Sequence, residues 1–557
     1  MNELKTIKQE LIQMLREGLT RAEEQGKIPS VPVPEINLER PQKPEHGDYA
    51  SSLALKLARA TTLNPLTLAR EIVALMPKNT RVESVAVAAP GFINFTLKDA
   101  WLTAQVASIL NEGEAFGNSD DGKGCRIQIE FVSVNPTGPL HVGHGRGAVL
   151  GSTLASVLAA SGYEVEKEYY INDAGNQIDA FYRSLYARYL QCFNIDAEIP
   201  PNGYHGAYMI DLAKEIIDEE GNKFVAIPKE EAVAGIGEIG LTRIIREIKV
   251  DCLRLGVSFD CWFSEKSLYT GGQYQKVMAF LKEKGYIAEK EGAVWFVSTA
   301  LGEDKDNVVV RSDGTPTYFA SDIAYHYNKF CERNFDRVID IWGADHQGHV
   351  PRMKAAVTSL SINADRFRVI IAQLVTLKRG NEVVKISKRS GELITLSEVM
   401  DEVGTDACRF FFLSRSADSQ MEFDLELAKK ESQENPVYYV QYAHARTASI
   451  LKLAAEKGLS YDDGDVSLLI TAPELTLIRK MLLFPELLET VVRTLGPHHL
   501  PFYALDLATA FSCFYRDCRV ISDDAALTRA RLRLVLAAKI VLAKTLRLMG
   551  MNAPDSM

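Results

Sequence analysis

The stretch Arg126-Ile-Gln-Ile-Glu-Phe-Val132 reads as a buried strand, and the chain after it leaves little choice of topology. It runs through a long turn into the helical apolar pattern of residues 148–162, then into the strand-like Tyr163-Glu-Val-Glu-Lys-Glu-Tyr-Tyr-Ile171. A strand, a crossover helix and a second strand in immediate succession form a right-handed βαβ unit. Strand-like runs at 308–311, 336–342 and 368–375 alternate with further helical segments and extend the unit into a doubly wound parallel sheet. Residues of about 190–305, with charged helices around 209–255 and 273–285, are expected as an insertion into that sheet.

A chain of 557 residues is too long for one ordinary domain. Residues 1–117 contain helical segments and an alternating stretch at 82–97, a small α+β domain, with His46-Gly-Asp-Tyr-Ala50 and Pro90-Gly-Phe-Ile-Asn-Phe95 as candidate surface turns or, equally, packing motifs. The Gly-, Asn-, Asp- and Glu-rich segment 111–124 reads as a linker. Residues 118–424 then form an α/β domain of Rossmann-like type. From 425 to 557 strand signals fade and leucine- and alanine-rich periodicity predicts an α-helical bundle.

With 46% apolar and 24% charged residues the chain has the composition of a soluble globular protein. The amphipathic charged start is unlike a secretory signal, and no long uncharged apolar run predicts a membrane span. Eight cysteines without a Cys-x-x-Cys pair are expected to be reduced and mostly buried, with no structural metal, in a cytoplasmic protein. The net charge of −10 argues against indiscriminate nucleic-acid binding. It leaves room for a local basic site, and residues 516–550 hold eight Lys or Arg against three Asp. That stretch fits a solvated helix face equally well.

Two motifs carry chemistry. Between the first strand and its helix lies Asn135-Pro-Thr-Gly138-Pro-Leu-His141-Val-Gly143-His144-Gly145. A helix N-terminus offers unpaired N–H groups and a positive dipole end to a phosphate, and Gly143 and Gly145 let a ligand approach the backbone. Two imidazoles three residues apart can donate to a triphosphate whose charge builds during displacement at the α-phosphorus; removing one such donor costs roughly 3–4 kcal/mol of activation energy. Taken alone, the motif also fits capping or core packing. The second motif, Lys385-Ile386-Ser387-Lys388-Arg389, follows a later strand. Two lysines around a serine can close over a triphosphate and neutralise a departing pyrophosphate.

In order and placement these motifs resemble the His-Ile-Gly-His and Lys-Met-Ser-Lys-Ser signatures of class I aminoacyl-tRNA synthetases. Further runs resemble the arginyl-tRNA synthetases across nearly the full length: Glu130-Phe followed six residues later by Gly138-Pro-Leu-His141, Tyr170-Ile-Asn-Asp-Ala-Gly-Asn-Gln-Ile178, Asp313 to Tyr325, and Trp342 to Val350. The resemblance implies ATP-dependent ligation of L-arginine to tRNA(Arg) through an arginyl-adenylate, with magnesium-bound ATP as substrate and a monomeric enzyme. It implies His141, His144, Lys385 and Lys388 as catalytic groups, and Gly138, Gly143, Gly145, Ile386 and Ser387 as further ATP contacts. Many bacterial members replace the second lysine of the second signature; this chain retains Lys388.

A guanidinium is planar and permanently charged and demands carboxylates. The resemblance assigns it Tyr318 and Asp322, which share a face if their segment is helical, with Glu130 at the end of the first strand. Asn135 and Asp173 hold the substrate backbone and its surroundings, His141 takes part in that site, and Asp345 and His346 line it. The first domain is expected to contact the outer corner of the tRNA. In the bundle, Tyr439, Tyr442 and Arg446 share a helical face, a stacking surface for anticodon bases or a core tyrosine stripe, and Tyr515 and Met557 join the anticodon set by resemblance. Two rivals stay open: a small-molecule adenylate-forming ligase, which leaves the bundle unexplained, and a non-catalytic tRNA binder, against which the intact signature residues weigh.

Overall fold

The computed structural model describes residues 3–41, 43–384 and 394–557. It divides into two compact units. The first comprises Met1–Glu114, Thr447–Leu483 and Thr509–Ile540. A four-stranded antiparallel sheet, in the order Leu38–Glu39, Tyr49–Ser51, Phe92–Leu97, Val82–Ala88, packs with helices Glu3–Glu24, Leu53–Thr61 and Pro65–Leu75. Of the two readings open for the motifs at 46–50 and 90–95, packing describes their inner residues: Tyr49, Ile93 and Phe95 are fully buried and Asp48 is 4% exposed, while His46 and Pro90 are exposed. One Asp48 oxygen accepts the Leu97 N–H at 2.8 Å, and the other accepts Nε of Arg479 at 2.7 Å, from the helix Ala472–Leu482.

The second unit comprises Ala115–Arg446, Phe484–Ala508 and Val541–Met557. At its centre are β1 (Arg126–Glu130), β2 (Glu164–Ile171), β3 (Cys261–Ser264), β4 (Arg337–Gly343) and β5 (Phe367–Ala372), all parallel, in the order β5-β4-β1-β2-β3. The chain leaves β1 toward β2 and β3, then returns to build β4 and β5 on the other side. The strand order therefore reverses between β1 and β4, where an open α/β sheet forms its ligand crevice. Helix α1 (Val142–Ala160) follows β1 and packs on the sheet, with Gly151 giving the Phe131 ring room: a Cβ there would lie 2.2 Å from it.

The sheet departs from expectation in two places. β3 lies within the segment expected as an insertion, so that segment supplies an edge strand. Residues 308–311 are not in the parallel sheet: Asn307–Val310 pairs antiparallel with Ala293–Phe296, which pairs antiparallel with Ile287–Lys290. The turn at Glu291 and Gly292, with φ of +54° and +73°, has the left-handed pair of a tight hairpin and joins the latter two strands, giving Asn307–Val310 an antiparallel edge to pair with.

The strands are also less apolar than a doubly covered parallel sheet would suggest. Asp340, Glu130 and Glu168 face one another in register across β4, β1 and β2, and all three are buried. The helix above them, α2 (Tyr318–Tyr327), continues as a π-helical turn over Asn328–Glu332. From that turn Lys329, itself fully buried, donates to Glu130 at 2.6 Å and Asp340 at 2.9 Å. Arg333 binds Glu168 and Glu166, and the Tyr325 hydroxyl donates to Glu168. Burial works against the Lys329 ammonium, yet Asp340 and Glu130 outweigh it and hold its pKa above the ordinary lysine value. Burial raises Glu130, whereas Lys329 and His326 hold Asp340 below the usual carboxylate range despite its burial.

Replacing Lys329 by Met leaves two buried carboxylates uncompensated, a change that costs roughly 3–5 kcal/mol. Lys329→Met is expected to lower the urea midpoint reported by Trp262 and Trp342, which stand in β3 and β4. An unchanged midpoint would show that the row tolerates the missing cation.

Candidate active site

The chain leaves β1 under strain. Val132 and Ser133 have φ of +69° and +41°, a region that a β-branched residue rarely adopts. The Tyr170 N–H donating to Ser133 Oγ at 3.1 Å and the Tyr169 hydroxyl donating to the Val134 carbonyl at 3.0 Å hold the turn from β2. It ends at His141, the N-cap of α1. His141 Nδ1 accepts the Gly143 N–H at 3.1 Å, and His144 Nδ1 accepts the His141 N–H at 3.3 Å, a reciprocal capping box built from two imidazoles. The rings stack with centroids 3.4 Å apart. Each Nδ1 is thus used within the cap, and each Nε2 lies outside it.

The glycines divide in role. A Cβ on Gly143 would meet only the His141 ring, at 3.1 Å, and one on Gly138 would meet Tyr208 at 3.1 Å. Tyr208 reaches over from the helix Ala207–Glu220 to donate to the Thr137 carbonyl at 2.6 Å. Gly145 departs from its expected role: its Cα faces Leu396 and Phe412, and a Cβ would come within 2.6 Å of the former, so it permits close packing. In the next position Arg146, fully buried, donates to the carbonyls of Gln373, Ser416 and Ser419 at 2.7–2.8 Å. Gln373 immediately precedes the region of strand Val375–Arg379. Lys385, Ile386, Ser387 and Lys388 lie outside the described residues.

Acidic groups gather at the carboxyl ends of β2 and β3. Glu265, directly after β3, is 4% exposed. Burial pushes its pKa up to about 7, with the nearby charges of Asp322 and Asp173 adding to the rise and hydrogen bonds from Ser321 and Tyr170 opposing it. Asn172, with its amide nitrogen toward the acid, donates to Glu265 at 2.8 Å, and its other end meets the Asn135 amide at 2.7 Å. Tyr318 and Asp322 do occupy one helix, α2, one turn apart. Asp322 accepts from His349 Nε2 at 2.8 Å, and Arg352 donates to the other nitrogen of that ring. Tyr318 is 48% exposed and its hydroxyl lies beside Gly175.

Other expected members are otherwise engaged. Asp173 accepts Ser264 Oγ at 2.5 Å and the Lys266 N–H at 3.0 Å, tying the end of β2 to the end of β3. Glu130 is already paired with Lys329. Asp345 and His346 form an exposed pair 3.5 Å apart on the turn after β4, and the imidazole paired with Asp322 is that of His349. Glu166, Glu168 and Cys261 lie close enough to share a cation, and the cation that Glu166 and Glu168 bind is Arg333. All eight cysteines are free, though three only are buried. On the helix Pro436–Glu456 a ladder runs through Tyr438, which stacks on Tyr442 with centroids 5.9 Å apart, and Arg446, which lies over the Tyr442 ring at 4.7 Å. Tyr439 is half-buried on the same helix, and Met557 is exposed at the end of this unit. Tyr515 belongs to the other unit, where it stacks on Phe511 and is 40% exposed.

Sequence pattern does not mark Glu265, His349 or Lys329. Glu265 follows a strand of only four residues, the spacing of Asp345-His-Gln-Gly-His349 does not say which histidine meets Asp322, and Lys329 is one lysine in a helical run whose acidic partners are remote in the chain.

Three family models match the chain. The class I tRNA synthetase (R) catalytic domain covers residues 105–416, the DALR anticodon binding domain 440–557, and the arginyl tRNA synthetase N-terminal domain 5–97. The arginine–tRNA ligase of Dehalococcoides mccartyi is 59% identical over 557 residues, the whole of both chains. That of Carboxydothermus hydrogenoformans is 47% identical over 94% of each. Among solved structures, Thermus thermophilus arginyl-tRNA synthetase superposes with a TM-score of 0.78 at 23% identity, covering 98% of this chain and all of that one, a likeness of fold. With a full-length relative so close and a catalytic-domain model spanning more than half of its residues, the chain belongs to the arginine–tRNA ligase family of class I aminoacyl-tRNA synthetases.

Proposed function

We propose that the crevice between β1 and β4 carries out arginine activation with the following division of labour. ATP enters as its magnesium complex, and its phosphates lie at the N-terminus of α1, where N–H groups, the helix dipole and the Nε2–H groups of His141 and His144 converge. Lys385 and Lys388 neutralise the departing pyrophosphate, with Ile386 and Ser387 contacting the nucleotide. The arginine guanidinium lies against Tyr318 and Asp322, with Glu265 as a second acid and Glu130 behind them; Asn135 and the Asp173 turn hold the end of the substrate that reacts. Its carboxylate attacks the α-phosphorus, forming arginyl-adenylate, and a terminal ribose hydroxyl of tRNA then takes the arginyl group and releases AMP. Alignment and charge neutralisation suffice, and no protein nucleophile is needed.

The observation that carries this reading is the pairing of opposite fields at one end of one sheet. An imidazole-capped helix N-terminus suits phosphate, and the Asp322 and Glu265 carboxylates beside it suit a cation. Lysine carries no planar fork, and a polar pocket left unpaired rejects a near-analogue by about 10⁴ or more. Around this centre the reading assigns residues 1–117 to tRNA contact, 118–424 to catalysis and 425–557 to the anticodon, through Tyr439, Tyr442, Arg446, Tyr515 and Met557. It takes the enzyme as a cytoplasmic monomer; no described helix is long and apolar enough to cross a membrane.

Arginine-dependent exchange of labelled pyrophosphate into ATP, with and without tRNA and with lysine as control, tests the chemistry. Exchange that requires arginine and rises on adding tRNA is expected; none under either condition, with tRNA still bound, would sink it. The Glu265 assignment has its own signature. A carboxyl of pKa about 7 must lose its proton to face a guanidinium, so affinity for arginine falls as pH falls through that value. The KM for arginine is expected to rise about tenfold from pH 8 to pH 6. In Glu265→Gln it should be high and flat, and a Gln variant with the wild-type profile would remove Glu265 from the pocket.

A further inference from the structure

Arg409 lies on α3 (Thr405–Leu413) and is 1% exposed, with no carboxylate among its hydrogen-bond partners. Its donors reach three distant stretches of chain. Nη2 donates to Ser152 Oγ at 2.9 Å and to Thr153 Oγ1 at 3.4 Å, both on α1; Nη1 donates to the Leu255 carbonyl at 2.8 Å, at the end of helix Lys229–Arg254; Nε donates to the Met549 carbonyl. Met549 directly follows the helix Ala525–Leu548, which ends in a paired Gly550 N–H to Arg547 and Met551 N–H to Leu546 closure. Gly550, with φ of +69°, presents its bare Cα to the guanidinium: a Cβ there would lie 2.4 Å from Arg409 Cζ.

The same short helix grips the next residues of the tail. Asp406 accepts the Asn552 N–H and side-chain amide at 3.2 Å each and Gln441 Nε2 at 2.7 Å, while that Gln441 nitrogen also donates to the Asn552 carbonyl at 3.0 Å. Gln441 and residues 549–552 fall within the stretch 440–557 matched by the anticodon-binding model, and α3 falls within the catalytic model. α3 is thus a bracket whose acid holds the tail of one domain and whose guanidinium joins that tail to the helix that carries His141 and His144.

We infer that Arg409 is a positioning residue for arginyl transfer, transmitting the seating of the C-terminal tail to α1 and, about 15 Å along that helix, to its N-terminus. The inference rests on the assignment of that N-terminus to ATP. Loss of the bracket leaves tRNA able to bind and arginine able to enter but leaves α1 unregistered when it does. Neutral carbonyls and hydroxyls around Arg409 suit this task, since they hold the fork by direction and geometry rather than by charge alone.

The test uses the full-length enzyme with Arg409→Lys, Arg409→Met and Gly550→Ala, the last pushing on the guanidinium from the opposite side. Aminoacylation kcat and KM, tRNA affinity by filter binding and the thermal midpoint are measured for each. Expected is a kcat at least tenfold lower in Arg409→Met and Gly550→Ala, with partial rescue in Arg409→Lys, while tRNA affinity and the KM for arginine stay within twofold. The double variant Arg409→Met with Gly550→Ala should be no worse than the poorer single one. A folded Gly550→Ala or Arg409→Lys enzyme with wild-type kcat would overturn the inference, as would a fall in kcat matched by equal losses in tRNA affinity and thermal midpoint, which marks a merely structural residue. The ATP-site assignment fails on a different result, wild-type kcat in His144→Ala.

Discussion

A lysine ammonium with no access to water sits over the middle of the parallel sheet, shared between Glu130 on β1 and Asp340 on β4. Those are the two strands between which the order reverses, so the contact spans the seam where the crevice opens. Uncovering any one member strands the others in a medium of low polarity, at a cost of several kcal/mol per ion. The row therefore acts as an all-or-none register for α2. His326, one turn before Lys329, donates from Nδ1 to the Asp322 carbonyl at 2.8 Å and brings Nε2 to 3.1 Å from Asp340. One imidazole thus links the buried row to the residue that faces the crevice, and Asp322 inherits its position from charges beneath it.

A second principle governs α1. Arg146 and Arg409 both lie buried against the helix or within it, and the partners that hold them are carbonyls and hydroxyls. Burial pulls both guanidinium pKa values down to about 10, which leaves them charged at neutral pH. Because dipoles orient a cation without cancelling it, both charges persist, Arg146 near the start of α1 and Arg409 about 15 Å along it. The acids stay on the other side of the sheet's end, at Asp322, Glu265 and Asp173. On the proposed assignment, phosphate and guanidinium are received side by side without the two pockets neutralising each other.

The motifs were legible because they are local. A strand, a glycine-rich turn and an apolar helix are contiguous in the chain, and the capping geometry of His141 and His144 follows from their spacing of three along one helix turn. Tyr318 and Asp322 could be placed on one face by the same arithmetic. What escaped were residues whose meaning lies in a partner far away. Glu265 stands after a strand of four residues, too short for its alternation to register, and that strand belongs to the sheet only because β2 is there to pair with it. The run at 308–311 has the composition of a core strand, and only its partner Ala293–Phe296, more than ten residues upstream, places it in a separate antiparallel sheet. Asp48 and Tyr49 look like turn residues and are buried because Leu97 and Arg479, remote in sequence, close over the acid.

The sequence by itself determined the class of fold and the family, because the motifs that carry them depend on neighbours within a few turns of the chain. Only the tertiary structure decided which acids remain turned to the crevice and which are consumed within the protein. Glu130, Asp173 and Asp322 are alike on paper, yet one neutralises Lys329, one ties two strand ends together and one stands at the crevice braced by His349. A carboxylate's role is set by what cation or N–H it meets and by how much water it loses, and both quantities come into being only when distant segments pack.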